Sequence, residues 1–437
     1  MAVDRLKIKN VAMNSSASRR AFLAGLGAAV AFAPSAAFAQ QLTIDDIIKD
    51  PSRGKWNDQF DTGTKSKQDV ASSLPILSEQ TIPYLENAIS QYSNIVQQGG
   101  WPVVQATKKM KLGFRDPAVE QLRRRLIISG DVDTNAGISN TFDSFVDAGV
   151  KKFQARHGLP NDGVIGNATL QAINVGADVR LSQLQTNLIR LRSLAGFKGE
   201  RYVTVNIPST ELEMVEGEVV VGRHNTVVGR IDRQTPILNS KINEVILNPT
   251  WTAPKSIIEK DIIPLMRKDP EYLTRNSIRI FNESTGEEVP PSAVDWNTND
   301  AVKYMLRQDP GKIYAMSSTK INFPNPHAVY MHDTPQQGLF LNSVRFNSSG
   351  CVRIQNVGDV NLWLLKNTPG WNRQAMNDTI QTRQTMPIPL VDPVPVYFTY
   401  ITAWATPNGA IHFRDDIYKR DGADELNIIP AVEEVRL

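Results

Sequence analysis

Met331 to Asn356 reads MHDTPQQGLFLNSVRFNSSGCVRIQN and holds the only cysteine of the 437 residues, nineteen positions after a histidine. Upstream, residues 328–332 alternate in a strand-like way, with Tyr330 and His332 on one face and Val329 and Met331 on the other. Downstream, Val357, Val360, Leu364 and Leu365 recur at helical spacing. Cys351 is therefore expected on a Ser-Ser-Gly turn that feeds a short strand and a helix, with Gly350 permitting a close or strained backbone beside it. A lone cysteine is usually a small buried hydrophobe and a lone histidine a packed core residue. The leader described below changes that balance, because an unpaired thiol in an oxidising compartment is a liability unless it reacts usefully. A free thiol, with a pKa of about 8.5, is mostly protonated at neutral pH, and His332 is the candidate to draw off its proton.

His332, Ser348, Ser349, Gly350, Cys351, Val352 and Arg353 resemble the motif of the L,D-transpeptidases, the YkuD-type cysteine enzymes of the bacterial cell wall. That motif runs histidine, a gap, Ser/Thr-His-Gly-Cys, a hydrophobic residue, then Arg or Asn. Asp333 stands where a glycine commonly follows the histidine, and Ser349 where many members carry a second histidine. Both departures look like the large multidomain branch, which reads HDTP and SSGCVR. The resemblance extends over roughly residues 80–400. It implies an α+β multidomain fold with a mainly-β catalytic domain, no cofactor and no metal.

By the same resemblance His332 deprotonates Cys351, and the thiolate attacks the carbonyl of residue three of a stem tetrapeptide. The backbone amides of Gly350 and Cys351 steady the oxyanion, and D-Ala leaves. The implied acceptor is the side-chain amine of diaminopimelate on a second stem, giving a 3→3 cross-link. Water, a D-amino acid or a lysine of an outer-membrane protein remain open as acceptors, as does a noncatalytic wall anchor with an inert Cys/His pair. Tyr330 shares the strand face of His332, and Arg353 lies where its guanidinium could pair with a substrate carboxylate. Ser349 and Trp251 complete the candidate substrate contacts. An enzyme of this family would be a carbapenem target, modified at Cys351.

The net charge is +3, but residues 1–39 carry Arg5, Lys7, Lys9, Arg19 and Arg20 against only Asp4, so the remainder is near neutral. Nothing in that balance argues for nucleic acid. Ser18 to Leu23 reads SRRAFL before the apolar run Ala21 to Ala33, and Ala37-Phe38-Ala39 offers a small-residue cleavage site. The run is shorter than the roughly 20 residues a membrane span needs. Residues 1–39 are expected to be a twin-arginine export signal to the periplasm, with no membrane span after cleavage.

Residues 40–109 read as a polar lead-in followed by helical scaffold. Ser78 is expected to cap a helix whose Ile82, Leu85, Ile89, Tyr92 and Val96 share a face before Gly99-Gly100 ends it. In residues 110–176, Asp116 caps and Pro117 starts a helix through Val119, Leu122 and Leu126. Phe142, Phe145, Val146, Val150 and Phe153 mark a second helix, and Asn161-Asp162-Gly163 turns into a third through Leu170 and Ile173. The string FQARHGLPNDGVIGNATLQAIN resembles the three-helix peptidoglycan-binding module found beside wall enzymes, with His157 a turn residue. Residues 177–199 supply another scaffold helix on Leu181, Leu184, Leu188 and Leu191, packing on the first.

From 200 to 420 the chain is expected to be the mainly-β catalytic domain, opening with Tyr202 to Ile207, Glu211 to Val215 and Glu218 to Val221. Residues 252–308 interrupt it with helical signals at Ile257, Ile258, Ile262, Leu265 and Met266 and again from Asp300 to Arg307. In the branch it resembles, a capping subdomain occupies this place, and the segment is expected to be a lid with too few apolar residues for its own core. Strands resume at Ile313 to Met316, Ala328 to His332 and Val394 to Ala403, and residues 421–437 look like a tail. Ser317-Ser318-Thr319-Lys320 is a Ser-x-x-Lys tetrad, but no Lys-Thr-Gly triplet accompanies it. The five histidines show no metal-ligand spacing, and no Gly-rich phosphate loop is present.

Overall fold

In the computed structural model, residues 72–422 are described, apart from 195, 197 and 312–314. The expected export signal, most of the lead-in, most of the tail and the first half of the strand expected at Ile313 to Met316 lie outside the described residues. The helical part begins with α1 (Thr81–Gln97), which buries Leu85, Ala88, Tyr92 and Ile95. Ser78 does not cap it: its Oγ accepts the Gln80 N–H at 3.2 Å in the preceding turn, and the cap position is Gln80. Gly99 and Gly100 end the helix in the left-handed region, where the Gly100 N–H reaches the Ile95 carbonyl at 2.8 Å.

The module that follows consists of α2 (Pro117–Ile128), α3 (Ser144–Arg156) and α4 (Asn167–Ile173). Asp116 Oδ1 accepts the Ala118 N–H and Asp143 Oδ1 those of Phe145 and Val146, so two carboxylates satisfy the orphan donors of two helix starts. Val119, Leu122, Leu126, Phe142, Val146, Val150, Phe153 and Ile173 close one core. Phe145, expected inside it, is 60% exposed because it occupies the outer face of the first turn of α3. His157 caps the end of α3 and is buried, stacked between Phe153 and Phe413. Then α5 (Ala177–Leu194) returns to share a core with α1, through Leu184 and Leu191.

The strands begin with β1 (Arg201–Asn206), β2 (Glu211–Glu216), β3 (Val219–Gly229) and β4 (Leu238–Leu247). Gly217 and Glu218 both take positive φ between β2 and β3, the two-residue hairpin geometry whose twist matches paired strands. The insert contributes β5 (Trp251–Thr252), β6 (Ile278–Asn282), β7 (Glu288–Val289) and β8 (Tyr304–Gln308), paired in the order β5-β8-β6-β7. Next come β9 (Thr319–Asn322), β10 (Met331–His332), β11 (Phe346–Ser348), β12 (Val352–Ile354) and helices α6 (Val357–Leu364) and α7 (Arg373–Thr382). The chain continues through β13 (Met386–Thr399) to the hairpin β14 (Ala403–Ala405) and β15 (Ile411–Phe413). Nine strands run β11-β3-β12-β10-β9-β4-β13-β1-β2, and β2 also pairs with β3, which closes the sheet into a barrel. Val203, Val205, Leu247, Ile321, Met331, Val352, Ile354 and Val396 fill it, with Val357, Val360 and Leu364 of α6 packed on the same core.

The insert departs from expectation. It has a core of its own, with Trp251, Ile258, Ile262, Tyr272, Leu273, Ile278, Ile280 and Leu306 buried together around the four-stranded sheet. The helical stretch 255–268 is present, with a π-helical middle at Ile258–Ile262. The helix expected from Asp300 to Arg307 is instead one 3-10 turn, Asp300–Lys303, leading into β8. The helical cap is therefore mixed in structure. Among residues 328–332 the alternation of faces holds, but Ala328 sits at φ 53° and only Met331 and His332 enter the ladder. The strand expected from Val394 starts eight residues earlier, at Met386, and ends at Thr399. Asp421 is not loose: it pairs with Arg190 at 2.5 Å and accepts the Thr402 hydroxyl at 2.7 Å.

Candidate active site

Cys351 lies on a turn that straddles the end of β3. The chain runs parallel to β3 as β11, crosses at Ser349-Gly350-Cys351, and returns antiparallel on its other side as β12. Gly350 takes φ 117°, a region closed to residues with a Cβ. Opposite it, Gly229 ends β3 where a Cβ would stand 2.2 Å from the Arg233 carbonyl oxygen, so only glycine fits. Side chains then lock the turn: the Ser348 hydroxyl donates to the Cys351 carbonyl at 2.6 Å and accepts the Gly350 N–H at 3.1 Å. Thr235 Oγ1 donates to the Gly350 carbonyl at 2.8 Å and accepts the Gly229 N–H at 2.8 Å. The Gly350 amide, expected from sequence to face an oxyanion, is committed to Ser348.

β10 brings the histidine alongside. It lies parallel to β12, with His332 opposite Arg353, and antiparallel to β9, with His332 opposite Lys320. The His332 Nδ1 is 2.6 Å from the Asp333 carbonyl oxygen. A carbonyl can only accept, so Nδ1 carries the proton and Nε2 keeps its lone pair. Asp333 holds that carbonyl in place: its buried carboxylate accepts from the Ser318 N–H at 3.1 Å, the Ser318 hydroxyl at 2.7 Å and the Thr334 N–H at 2.7 Å. The acidic residue after the histidine thus has a structural reason.

A cavity of about 140 Å³ is lined by Trp251, Tyr330, His332, Ser349, Cys351 and Arg353, among others. Of the residues singled out from sequence, only Gly350 lies behind this wall, buried. Trp251 is also part of the core of the insert. The Tyr330 ring meets that of His332 edge-on at 5.5 Å. Arg353 is buried and donates to Gln336 Oε1 at 3.2 Å. Ser349 Oγ is exposed and accepts from Arg233 at 3.1 Å, and Arg233 also forms a two-pronged pair with Asp261 of the insert.

Burial decides the charge state of the pair. His332 is driven down to about 3 by burial, then by Arg353 and Lys320, against the Asp333 carbonyl bond. Burial raises the Cys351 thiol above its ordinary value, outweighing hydrogen bonds from Tyr330 and the charges of Lys320 and Arg353. Arg353 falls to about 10 for the same reason, burial. At pH 7 the pair is therefore neutral thiol beside neutral imidazole.

Lys320, outside the expected site residues, lies with its Nζ 4.5 Å from the centre of the Tyr330 ring. Its signal was present in the Ser-x-x-Lys tetrad, but Thr319 and Lys320 belong to β9, and Ser317 has φ 53°. Without a helix the tetrad cannot stack its serine on its lysine as serine acyl-enzyme chemistry needs. His327, likewise outside the expected site residues, is exposed on the cavity rim. Among the described residues no group of three or more His, Cys, Asp or Glu could hold a metal ion.

Residues 200–390 match the family model described as "L,D-transpeptidase catalytic domain", and residues 115–173 the one described as "Putative peptidoglycan binding domain". A Haemophilus influenzae protein named "Putative L,D-transpeptidase" is 35% identical over 240 residues, which cover 55% of this chain and 48% of that protein. The chain thus spans about half the length of the curated relative it matches. Among solved structures, an L,D-transpeptidase from Stackebrandtia nassauensis aligns at 15% identity over 68% of this chain and 96% of its own, with a TM-score of 0.27. One from Xylanimonas cellulosilytica aligns at 14% identity over 68% and 99%, with a TM-score of 0.22.

Proposed function

We propose that this chain, which carries an L,D-transpeptidase catalytic domain and a peptidoglycan-binding domain, forms 3→3 cross-links between diaminopimelate residues of peptidoglycan through a thioester on Cys351. The observation that carries this reading is one cavity holding the only thiol and an imidazole whose Nε2 is left as a base. Sγ attacks the carbonyl of residue three of a donor stem while His332 Nε2 takes the thiol proton. The oxyanion is met by the Cys351 amide. Collapse expels D-Ala, whose amine collects the proton from His332. The acceptor amine then attacks the thioester, gives its proton to His332, and Sγ regains it as the new amide forms.

Tyr330 steadies the thiolate, in keeping with its hydrogen bonds to the thiol. Arg353 and Ser349 receive the polar groups of the donor peptide, and Trp251 its apolar part. The partners are stem peptides and glycan outside the cytoplasmic membrane, reached by the twin-arginine route. Among the described residues, no helix is long and apolar enough to cross a membrane. Incubating the full chain with a purified disaccharide tetrapeptide and weighing the products tests the acceptor. A dimer lacking one D-Ala is expected, whereas tripeptide monomer alone would make water the acceptor and overturn the cross-linking assignment.

A further inference from the structure

Lys320 has no part in the reaction above, yet three strands fix its place. His332 of β10 stands opposite Lys320 of β9 on one side and Arg353 of β12 on the other. Their neighbours Ile321, Met331 and Val352 turn into the barrel core, so Lys320, His332 and Arg353 form a row on its outer face. A half-buried lysine usually finds a carboxylate, and this one does not. The β4 residue opposite it is Ile246, and Glu244, two positions along, accepts the Asn322 side-chain amide at 2.8 Å instead. Among the described residues no hydrogen bond or ion pair takes up Lys320 Nζ, which lies on the face of the Tyr330 ring.

That ring leads to the thiol, because the Tyr330 side chain hydrogen-bonds Cys351. A cation on the face of a phenol draws electron density out of the ring, which fixes the ring in place and strengthens its hydroxyl as a donor. The charge also acts through space. Burial raises the Cys351 thiol, and Lys320 opposes it, after Tyr330 and together with Arg353. Burial and Arg353 lower the His332 imidazole, and Lys320 adds to them. Burial lowers Lys320 itself, while Cys351 and Glu244 favour its charged form. Of the other charged or titratable groups around the thiol, His327 sits on the cavity rim, and Arg233 beside Ser349 is paired with Asp261 of the insert. Lys320 therefore favours both states the first step needs, an anionic sulfur and a histidine free to act as base.

We propose that Lys320 is a positioning residue for the acyl transfer: its ammonium holds the Tyr330 ring with the hydroxyl on Cys351 and steadies the negative charge left on Sγ when the thiol proton passes to His332 Nε2. The proposal rests on the reading of Cys351 as the nucleophile and adds a residue to that site. Iodoacetamide tests it on the full chain without any stem peptide. Thiolate Sγ bonds to the reagent's methylene carbon and iodide leaves, so the rate at each pH follows the thiolate fraction. In Lys320→Met the half-point of that profile should rise by about half a pH unit, and alkylation at pH 7 should slow about threefold, as for a neighbouring charge partly screened by solvent. Lys320→Arg, which keeps a cation on the ring, should restore both. In a Tyr330→Phe background the further change Lys320→Met should move the half-point less than in the parent. Lys320→Gln is a second neutral variant, and the thermal midpoint of each shows which are folded. An unmoved half-point in a folded neutral variant would make Lys320 a brace of the sheet alone. That result, no recovery in Lys320→Arg, or a shift of full size in the Tyr330→Phe background each overturns the proposal. Failure of the parent chain to release D-Ala from a stem tetrapeptide would instead strike the cross-linking reading, since the alkylation profile does not depend on it.

Discussion

At the scale of single residues, the account makes Cys351 and His332 a neutral pair rather than a preformed ion pair. With the thiol raised and the imidazole lowered, thiolate accumulates only as pH rises through the elevated thiol value. Alkylation of Cys351 by iodoacetamide should therefore climb steadily from pH 7 to 9, with its half-point above the ordinary value of about 8.5. A plateau below pH 7 would mean a thiolate–imidazolium pair instead. His332→Ala should lower turnover by about 10²–10⁴-fold, the usual worth of a general base, while Ser317→Ala should leave it near the parent value, as read by D-Ala release. Cys351 and His332 were legible in the sequence because a lone thiol and its histidine are chemical rarities. The tautomer was not, since it depends on the carbonyl of Asp333 and on Ser318, whose contact with Asp333 spans fifteen residues.

At the scale of elements, the sequence revealed the helices of the module because capping aspartates and apolar periodicity are local signals. The barrel strands beside the site were harder to see. β10, β11 and β12 are two or three residues long, too short for alternation to register, and are defined by their ladders. β13 hides its first eight residues behind Pro387, Pro389 and Pro393. Pairing with β1 begins only at Val396, so the earlier prolines have no partner strand on that side to disappoint. The core of the insert is hard to see in the sequence because its apolar residues are spread over short strands and a π-helical turn rather than one periodic run.

Its tie to the thiol turn, Asp261 to Arg233 to Ser349, is a latch between insert and turn. Asp261→Asn should weaken that latch by about 1 kcal/mol and speed hydrogen exchange across 255–268. Acylation of Cys351 should change protection in the same stretch, if the insert works as a lid. Identical protection before and after acylation would leave it a static support.

At the scale of the whole molecule, a buried arginine is one of the ties between the module and the hairpin β14–β15. Arg156 is paired with Asp131 at 2.6 and 2.7 Å and donates to the Ile411 carbonyl of β15 at 3.0 Å, while Arg414 donates back to the Arg156 carbonyl at 3.0 Å. Removing one partner of a buried pair leaves an uncompensated charge and costs about 3–5 kcal/mol. Asp131→Ala should therefore lower the midpoint of urea unfolding or split the transition in two, with the module unfolding first. A single unchanged transition would mean that the pair contributes little. The claim on which everything else depends is that Cys351 carries the acyl group. Intact mass of the full chain after a carbapenem, followed by peptide mapping, measures it most directly. The account predicts one adduct per chain, on the peptide containing Cys351, and none on Cys351→Ala. An adduct on Ser317, or one that persists in Cys351→Ala, would contradict it.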